Sequence, residues 1–589
     1  MSFELVYTRL CKAAGKIESL RQETPEELER NLEFAELDVE SREVAALAIM
    51  GAIVGGILLA VVSMACVIFC FPITIAICIA PLPIATYFAV GWYPSWRAEG
   101  EQVKGQGEVP RLVSYLAMSL RTNPNLERAI QFASERLDSP LGMDLRRELW
   151  KSCLRVHDSI EDASSEFSRR WSDRCKELGR SIELLKSSIS EKHYETRVKT
   201  IDRALELALE GTRDRMRDFA SGLQLPTLAI YSIGVLLPLV ILAVLPTLSI
   251  LDLNIGAFEL VLVYCIALPV TVYAMGKYIL AKRPAAFQTL GHYSDKKNMK
   301  NICLSLVIAI APVATGAWFD IPATAQTLLL LWSLTLGIVT YLHMDSSKFY
   351  KSQLKEDLME EEFQDALIQL GNQMNEGRPA EDAFRRAAES TSGKNISKVF
   401  ERASRNVRFG GMRIESALFD PDEGALKNVR SQIIRGTLQL LVDSLERGNR
   451  VAGDVALKTG EHLRKLRRVE LEVRRSLSEV VSSMRSVALF FAPLVAAVTA
   501  QLQEVLANET SGVPFLSGGA PIPFETFLGV MGLYIIALTC ILVCYSVELE
   551  NGNNAVMKKA VLARSLPVAM IVFTFGVIAG GQMMEFIIG

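Results

Sequence analysis

A long stretch without charged side chains constrains this chain more than any other feature of its sequence. Between Glu43 and Arg97 there is no Asp, Glu, Lys or Arg. A membrane-spanning helix needs about 20 predominantly apolar residues. The stretch therefore approaches the length of two spans, and Phe71-Pro72 provides a break between them. The sequence predicts a membrane protein and not a series of soluble domains.

Apolar runs of similar length recur along the chain and predict about nine transmembrane helices. These runs lie near residues 44–67, 73–93, 226–249, 255–278, 301–319, 322–343, 486–506, 525–547 and 565–588. The charged regions between them have helical patterning, which indicates bundles of short antiparallel helices. The predicted fold class is an all-α polytopic membrane protein with two cytoplasmic helical bundles. Its predicted segments are an acidic N-terminal segment at 1–43, two spans in 44–93, bundle 1 at 94–224, four spans in 225–343, bundle 2 at 344–485 and three spans in 486–589.

The distribution of basic residues predicts the orientation of these spans. The connections 280–300 and 548–564 are rich in lysine and arginine, whereas 250–254, 320–321 and 507–524 contain neither. The basic residues concerned are Lys282, Arg283, Lys296, Lys297, Lys300, Lys558, Lys559 and Arg564. Because basic loops stay on the cytoplasmic side, the N-terminus and both bundles are predicted to be cytoplasmic, and Gly589 is predicted to lie outside.

The two bundles are predicted to be copies of one another. Leu126–Glu135 aligns without gaps with Ala380–Glu389, and the same offset of 254 residues aligns Ile160–Ala163 with Ile414–Ala417. Each bundle also runs directly into a proline-containing apolar segment. A period this long indicates the duplication of a whole domain and not a solenoid with a period of roughly 20–50 residues.

The second bundle contains a shorter internal repeat. Residues 370–384 and 441–457 both have an amphipathic helix, a glycine stop, a short polar turn and a new helix led by an acidic residue. Gly377 and Gly448 are predicted to end the two helices, because glycine tolerates the positive φ that follows a helix C-terminus. The first bundle lacks these glycines and has Asn123-Pro124 at its first turn.

This helix–glycine–helix pattern, followed by a long basic helix that enters a proline-broken span, resembles the type II secretion F family. Two such domains in one chain with about nine spans resemble the archaeal branch, the membrane platform proteins of archaella and adhesive type IV pili. The resemblance covers most of residues 94–589. It implies a multi-pass protein of the cytoplasmic membrane of an archaeon. It also implies a homodimer whose partners are a cytoplasmic secretion ATPase and pilin or archaellin subunits.

The sequence lacks the motifs of the common enzyme classes. It has no GxxxxGK[ST] loop for a triphosphate, no HExxH and no GxSxG elbow. The ten cysteines form no CxxC pair and the five histidines are far apart, so no metal site is indicated. The net charge of −3 does not suggest nucleic acid as a partner. We therefore expect no enzymatic activity and no cofactor, and the energy for mechanical work must come from a partner.

The densest basic cluster precedes the span at 486 and is the candidate partner-binding site. It consists of Arg464, Lys465, Arg467, Arg468, Arg474 and Arg475. One interpretation is an electrostatic docking face for the ATPase. The other is a solvated helix, paired in part with Glu461, Glu470 and Glu472 and attracted to anionic lipid headgroups. A similar stripe precedes the span at 226 and fits either interpretation; it consists of Arg197, Lys199, Arg203, Arg213, Arg215 and Arg217.

A different class of function, a secondary transporter with cytoplasmic regulatory helical domains, is the alternative. Glu259 and Glu585 lie within or near the ends of predicted spans, where ionisable groups are costly and often functional. Transporters, however, place such groups at the bilayer midplane, in the broken helices of an inverted repeat. Here the repeat lies in the soluble bundles and the centres of the spans are almost purely apolar. The platform is therefore the preferred interpretation, and a neighbouring gene for a secretion ATPase or for a substrate-binding protein would distinguish the two.

Overall fold

The computed structural model describes most of the chain. The described residues are 3–15, 17, 26–35, 37–69, 82–137, 139–172, 175–241, 244, 257–281, 283, 299–318, 322–510, 523–552 and 554–588. Helices are the only regular secondary structure in these ranges. The all-α prediction is therefore confirmed.

The chain divides into two compact units, which are described separately. The smaller unit is Met1–Gln106 together with Ser139–Leu141. Its helices are Phe3–Ala14, Glu26–Phe34, Ser41–Phe69 and the first part of Leu82–Thr122. In its core, Tyr7, Cys11 and Ala14 of the first helix pack with Val44 and Leu47 of the third. The hydroxyl of Tyr7 donates a hydrogen bond of 3.0 Å to the carbonyl of Val90, so this N-terminal region packs against the fourth helix as well as the third.

The larger unit contains the rest of the chain and both charged helical regions. The helices of the first region are the end of Leu82–Thr122, then Leu126–Ser134, Pro140–Cys153, Ile160–Ser172, Lys176–Ser190 and Tyr194–Gly222. Those of the second region are Ala323–Asn375, Ala380–Ser390, Asn395–Arg408, Ile414–Phe419, Gln432–Leu445 and Asn449–Ser486. The remaining helices are Gln224–Tyr231, Ala257–Val261, Leu268–Ala281, Met299–Trp318, Ala492–Thr510, Phe524–Asn551 and Ala555–Ile588, with π-helical turns at Ser232–Leu236, Leu262–Ala267 and Val487–Phe491.

The two charged regions have the same order of helices, and we call them the first and second repeat. The second helix begins at Leu126 in the first repeat and at Ala380 in the second, and the fourth begins at Ile160 and Ile414. Both pairs keep the offset of 254 residues that the sequence suggested. The correspondence extends beyond the charged regions, because π-helical turns follow at Ser232–Leu236 and Val487–Phe491, one residue from that offset.

Seven helices of the described residues are long and apolar enough to cross a membrane. Their bounds are Ser41–Val61, Tyr194–Ile241, Phe258–Ala281, Ala323–Ser347, Asn449–Glu504, Phe524–Asn551 and Ala555–Gln582. Each contains or overlaps one of the nine predicted spans. The predicted span 301–319 corresponds to a shorter apolar helix, Asn301–Ala314. The predicted span 73–93 lies partly outside the described residues, and its residues 82–93 begin helix Leu82–Thr122.

Ion pairs bring the ends of these apolar helices into one layer. Lys277 lies 3.1 Å from Glu548, to which Lys558 also donates a hydrogen bond. Nearby pairs join Lys559 with Asp345 at 2.7 Å and Arg485 with Glu550 at 2.7 Å. These residues belong to five different apolar helices. The ends that the sequence assigned to the cytoplasm therefore meet at one level of the structure.

Candidate functional site

The basic helix Asn449–Ser486 is the central element of the second repeat. Gly448, at φ 122°, precedes it, and Gly377 occupies the equivalent turn at φ 87°. The side chain of Asn449 donates a hydrogen bond to the carbonyl of Arg378, so the two turns lie together at one end of the repeat. The helix packs closely on Ala323–Asn375, because a Cβ atom at Gly371 would lie 2.6 Å from the backbone nitrogen of Leu457.

Four of the six basic residues proposed for partner binding are engaged within the protein. Arg464 pairs with Asp365 at 2.7 Å, and Arg467 lies 3.3 Å from Glu361. Glu470 accepts from Arg467 at 2.8 Å and from Arg474 at 2.9 Å. The fourth, Lys465, lies 3.3 Å from Glu206 of the first repeat. Arg464, Lys465 and Arg467 therefore link the basic helix to its neighbours, whereas Arg474 pairs within the helix.

Arg468 and Arg475 are the two members of the set that remain exposed, and no ion pair to either is present in the described part of the chain. Arg468 precedes Ser486 by 18 residues, which is about 27 Å along a helix that rises about 1.5 Å per residue. Since electrostatic attraction decays over roughly 10 Å at physiological salt, Arg468 is too far along the helix axis to attract headgroups strongly. By the same measure, Arg475 lies about 16 Å from Ser486 along the helix axis.

In the equivalent stripe of the first repeat, Arg213 contacts the second repeat, and the other contacts described here stay within the first. Arg213 pairs with Glu472 of the second repeat at 2.8 Å, and Arg215 pairs with Glu177 at 2.5 Å. Arg203 lies 3.8 Å from Glu206, and the guanidinium of Arg197 lies 5.4 Å from the centre of the Tyr194 ring. Helices Tyr194–Gly222 and Asn449–Ser486 therefore join the two repeats through complementary charges.

A buried polar centre lies where these two helices meet the end of Leu82–Thr122. Arg121 pairs with Asp202, and the Nε2 atom of His462 is 3.8 Å from the Asp202 carboxylate. His462 is only 3% exposed. Burial, together with the nearby cations of Arg121 and Lys465, lowers the pKa of His462 well below its ordinary value. The imidazole is therefore neutral in the folded protein at pH 7.

Burial also affects the acidic residues of helix Ala323–Asn375. It raises the pKa of Glu360, although the Ser431 hydroxyl donates a hydrogen bond of 2.5 Å to this carboxylate. It raises the pKa of Asp357 as well, against the opposing effect of Arg474. Both carboxylates therefore lie in the packed interface between helices of the bundle.

The two intramembrane acidic candidates lie at the ends of their helices. Glu259 is exposed, in the first turn of Ala257–Val261, where the apolar segment Phe258–Ala281 begins. Glu585 lies in the last turn of Ala555–Ile588, and its side chain is outside the described residues. Of the basic loop residues, Lys282, Lys296 and Lys297 lie outside the described residues, as does the side chain of Lys300. Arg564 is described, and it stacks over Tyr350 at 5.3 Å.

Several contacts in the apolar region were not anticipated from the sequence. The hydroxyl of Tyr264 donates a hydrogen bond of 2.7 Å to the carbonyl of Pro238. Tyr534 donates to the carbonyl of Gly234, and Thr539 donates to that of Ala488 at 3.3 Å. The carbonyls of Gly234 and Ala488 belong to π-helical turns, where the regular α-helical hydrogen bonding is interrupted. The sequence signal that could have predicted these contacts is the presence of Tyr and Thr residues in apolar helices that pack against proline-containing segments.

No group of three or more His, Cys, Asp or Glu side chains that could hold a metal ion is present among the described residues. Seven cysteines in this part of the chain are free thiols: Cys11, Cys153, Cys175, Cys265, Cys303, Cys540 and Cys544.

Together these observations define a class: an all-α, multi-pass membrane protein with two related helical bundles. Residues 366–500 match the family described as Type II secretion system (T2SS), protein F. The match begins within helix Ala323–Asn375, covers the rest of the second repeat and ends within helix Ala492–Thr510. The chain thus contains a domain of this family, as the resemblance indicated. Comparisons with curated proteins and with solved structures found no significant match.

Proposed function

We propose that this protein is the membrane platform of an archaeal type IV pilus-like machine, either a pilus or an archaellum. In this role it couples a cytoplasmic secretion ATPase to the insertion of pilin or archaellin subunits into a growing filament. The observation that carries the proposal is the type II secretion F domain at residues 366–500, in a chain with seven membrane-length apolar helices. The protein itself performs no catalysis, and two copies act together as a homodimer.

The continuity of helices between bundle and apolar region supports mechanical coupling. Ala323–Asn375 is one helix of 53 residues, whose segment Ala323–Ser347 is long and apolar enough to span a membrane. Asn449–Ser486 continues through Val487–Phe491 into Ala492–Thr510. A force applied to the second repeat would therefore reach the apolar region through two rigid elements.

The ion pairs at the ends of the apolar helices support the proposed orientation. The basic layer formed by Lys277, Arg485, Lys558 and Lys559 adjoins the side of the apolar region from which the second repeat extends. The positive-inside rule assigns such a layer to the cytoplasm. Both repeats and the N-terminus would then face the ATPase in the cytoplasm, and the C-terminus would lie outside.

Deletion of the gene tests this function directly. The deletion strain should retain mature filament subunits in its membrane but should assemble no surface filaments, and the wild-type gene should restore them. Filaments at wild-type numbers in the deletion strain would contradict the proposal. The isolated chain should neither hydrolyse ATP nor bind it stoichiometrically, since no phosphate-binding loop occurs in its sequence.

A further inference from the structure

We infer that the far end of the second repeat is the docking point for a protein partner that presents an apolar pocket edged by carboxylates. This end consists of Phe409 with Arg405, Arg408 and Arg413, and we call it the basic tip. The inference rests on the proposed function, in which the partner is the secretion ATPase. It moves the contact away from the basic helix Asn449–Ser486, most of whose basic residues in the predicted cluster are paired within the protein.

Phe409 has an exposure that packing within the chain does not explain. Its side chain is 84% exposed, the highest value for a large apolar side chain among the described residues. Leu225 and Phe575 are also highly exposed, but they belong to membrane-length helices and are suited to face lipid, whereas Trp150, Leu154 and Val156 are exposed in the first repeat. Phe409 belongs to a charged bundle. Aromatic side chains are enriched at protein–protein interfaces relative to the rest of the surface, and here the ring is surrounded by arginines.

The local structure holds this ring outward. Helix Asn395–Arg408 buries one apolar face and ends immediately before Phe409, and Gly411, at φ 63°, reverses the chain two residues later. The side-chain amide of Asn406 donates to the carbonyl of Glu423 at 2.8 Å and to that of Ala417 at 3.3 Å. The turn is therefore tied to the following segment. A preorganised aromatic side chain loses little conformational entropy on binding.

The charge around Phe409 indicates the chemistry of the partner. Residues 394–413 contain six basic residues and a single acidic one, Glu401. Arg405, Arg408 and Arg413 are exposed, and no ion pair to any of them is present in the described part of the chain. This contrasts with Arg464 and Arg467, which are paired internally. Unpaired arginines around an aromatic anchor suit a surface that offers carboxylates.

The position of the basic tip excludes lipid headgroups as the occupant. The hydroxyl of Ser404 donates to the carbonyl of Glu381 at 3.1 Å, so the helix end lies level with the turn that follows Asn375. Asn375 is 28 residues beyond Ser347, where the apolar segment ends, which is about 42 Å of helix. That distance is several times the roughly 10 Å over which charges act at physiological salt.

Acidic residues beside the basic tip also disfavour nucleic acid. Asp422 and Glu423 are exposed in the segment to which Asn406 is bonded. A phosphate backbone needs an extended positive surface, and these carboxylates interrupt it. A protein surface with a few carboxylates around an apolar pocket fits both the ring and the limited extent of the positive charge.

The test uses the full-length chain in mild detergent and the purified secretion ATPase of the same organism. Three variants are compared with the wild type by equilibrium binding: Phe409→Ala, the triple variant Arg405→Glu, Arg408→Glu, Arg413→Glu, and the control Trp150→Ala. Trp150 is also exposed, at 66%, on the corresponding helix of the first repeat. We expect each tip variant to weaken binding at least tenfold, and the control to bind as the wild type does. All four proteins should elute alike on gel filtration, because the altered side chains are exposed.

A second arm identifies the surface that meets the tip. A benzophenone crosslinker attached to Phe409→Cys, in a cysteine-free background, should join an ATPase peptide that contains Asp or Glu. Unchanged ATPase affinity of both tip variants, or a crosslink only to lipid, nucleic acid or another protein, would overturn the inference and leave the proposed function standing. If the wild-type chain binds no ATPase at all, both the inference and the proposed function fail.

Discussion

Gly234 and Ala488 are 254 residues apart, and the backbone carbonyl of each accepts a hydrogen bond from the same helix, Phe524–Asn551. The donors are the hydroxyls of Tyr534 and Thr539. The two carbonyls belong to the π-helical turns that follow the first and second repeats. One helix therefore fastens both repeats at equivalent points, and a displacement of either repeat would be transmitted to it.

Removal of one of these hydroxyls should loosen one repeat. Tyr534→Phe keeps the ring, which packs edge-on against Tyr264 at 5.9 Å, but leaves the carbonyl of Gly234 without its partner. Buried hydrogen bonds between membrane helices contribute about 0.6–1.7 kcal/mol. We expect a loss of about 1 kcal/mol in the free energy of unfolding, measured by denaturation in detergent. Thr539→Val is the matched variant for the second repeat and should have a similar effect, so unchanged stability of both variants would contradict this account.

Reversal of charge should distinguish paired from unpaired arginines on the basic helix. Arg467→Glu places a carboxylate beside Glu361 and Glu470, with which Arg467 now pairs. We expect a loss of about 1–2 kcal/mol in stability. Arg468→Glu, one residue further along, changes an exposed side chain and should alter stability by less than about 0.5 kcal/mol. If the two variants change thermal stability equally, the ion pairs of Arg467 contribute nothing to stability.

The buried histidine should make stability depend on pH. His462 has a folded-state pKa well below its ordinary value, so below about pH 6.5 the unfolded chain binds a proton that the folded chain does not. Stability should therefore fall as the pH drops from 7.5 through this value, with a slope of up to about 1.4 kcal/mol per pH unit. The measurement is denaturant unfolding at several pH values. His462→Gln should flatten the profile, and an unchanged slope in this variant would show that His462 does not cause the dependence.

Much of the fold follows from the sequence because apolar runs and glycine stops are local signals. The helix starts at Leu126 and Ala380 could be anticipated from one aligned segment, and the type II secretion F domain from the turns at Gly377 and Gly448. Helix ends near the membrane were harder to place. Ala323–Asn375, for example, is continuous across the boundary expected near residue 343.

The functional surfaces depend on partners that are distant in sequence, which periodicity does not reveal. Arg464 and Lys465 are adjacent in sequence, but they pair with Asp365 and with Glu206, 99 and 259 residues away. A dense run of basic residues therefore looked available for docking. The exposure of Phe409 was equally hidden, because it depends on how the turn at Gly411 is tied to the loop that follows.

Chemical labelling should establish the orientation of the chain in the membrane. In a cysteine-free background, Ser517→Cys lies in the segment 507–524, which lacks basic residues. Lys398→Cys is an exposed position of the second repeat. A membrane-impermeant maleimide added to intact cells should label the first and not the second, and both should react after lysis. Labelling of both in intact cells would contradict the predicted topology.

The composition of the complex that the chain forms in its own membrane tests the central claim most directly. The tagged full-length protein should be expressed at its native level, extracted in mild detergent and purified, with an unrelated multi-pass protein from the same membrane as control. Mass spectrometry should find a secretion ATPase and a filament subunit enriched with this chain and absent from the control. A substrate-binding protein in their place, with neither ATPase nor filament subunit present, would contradict the platform and favour a transporter.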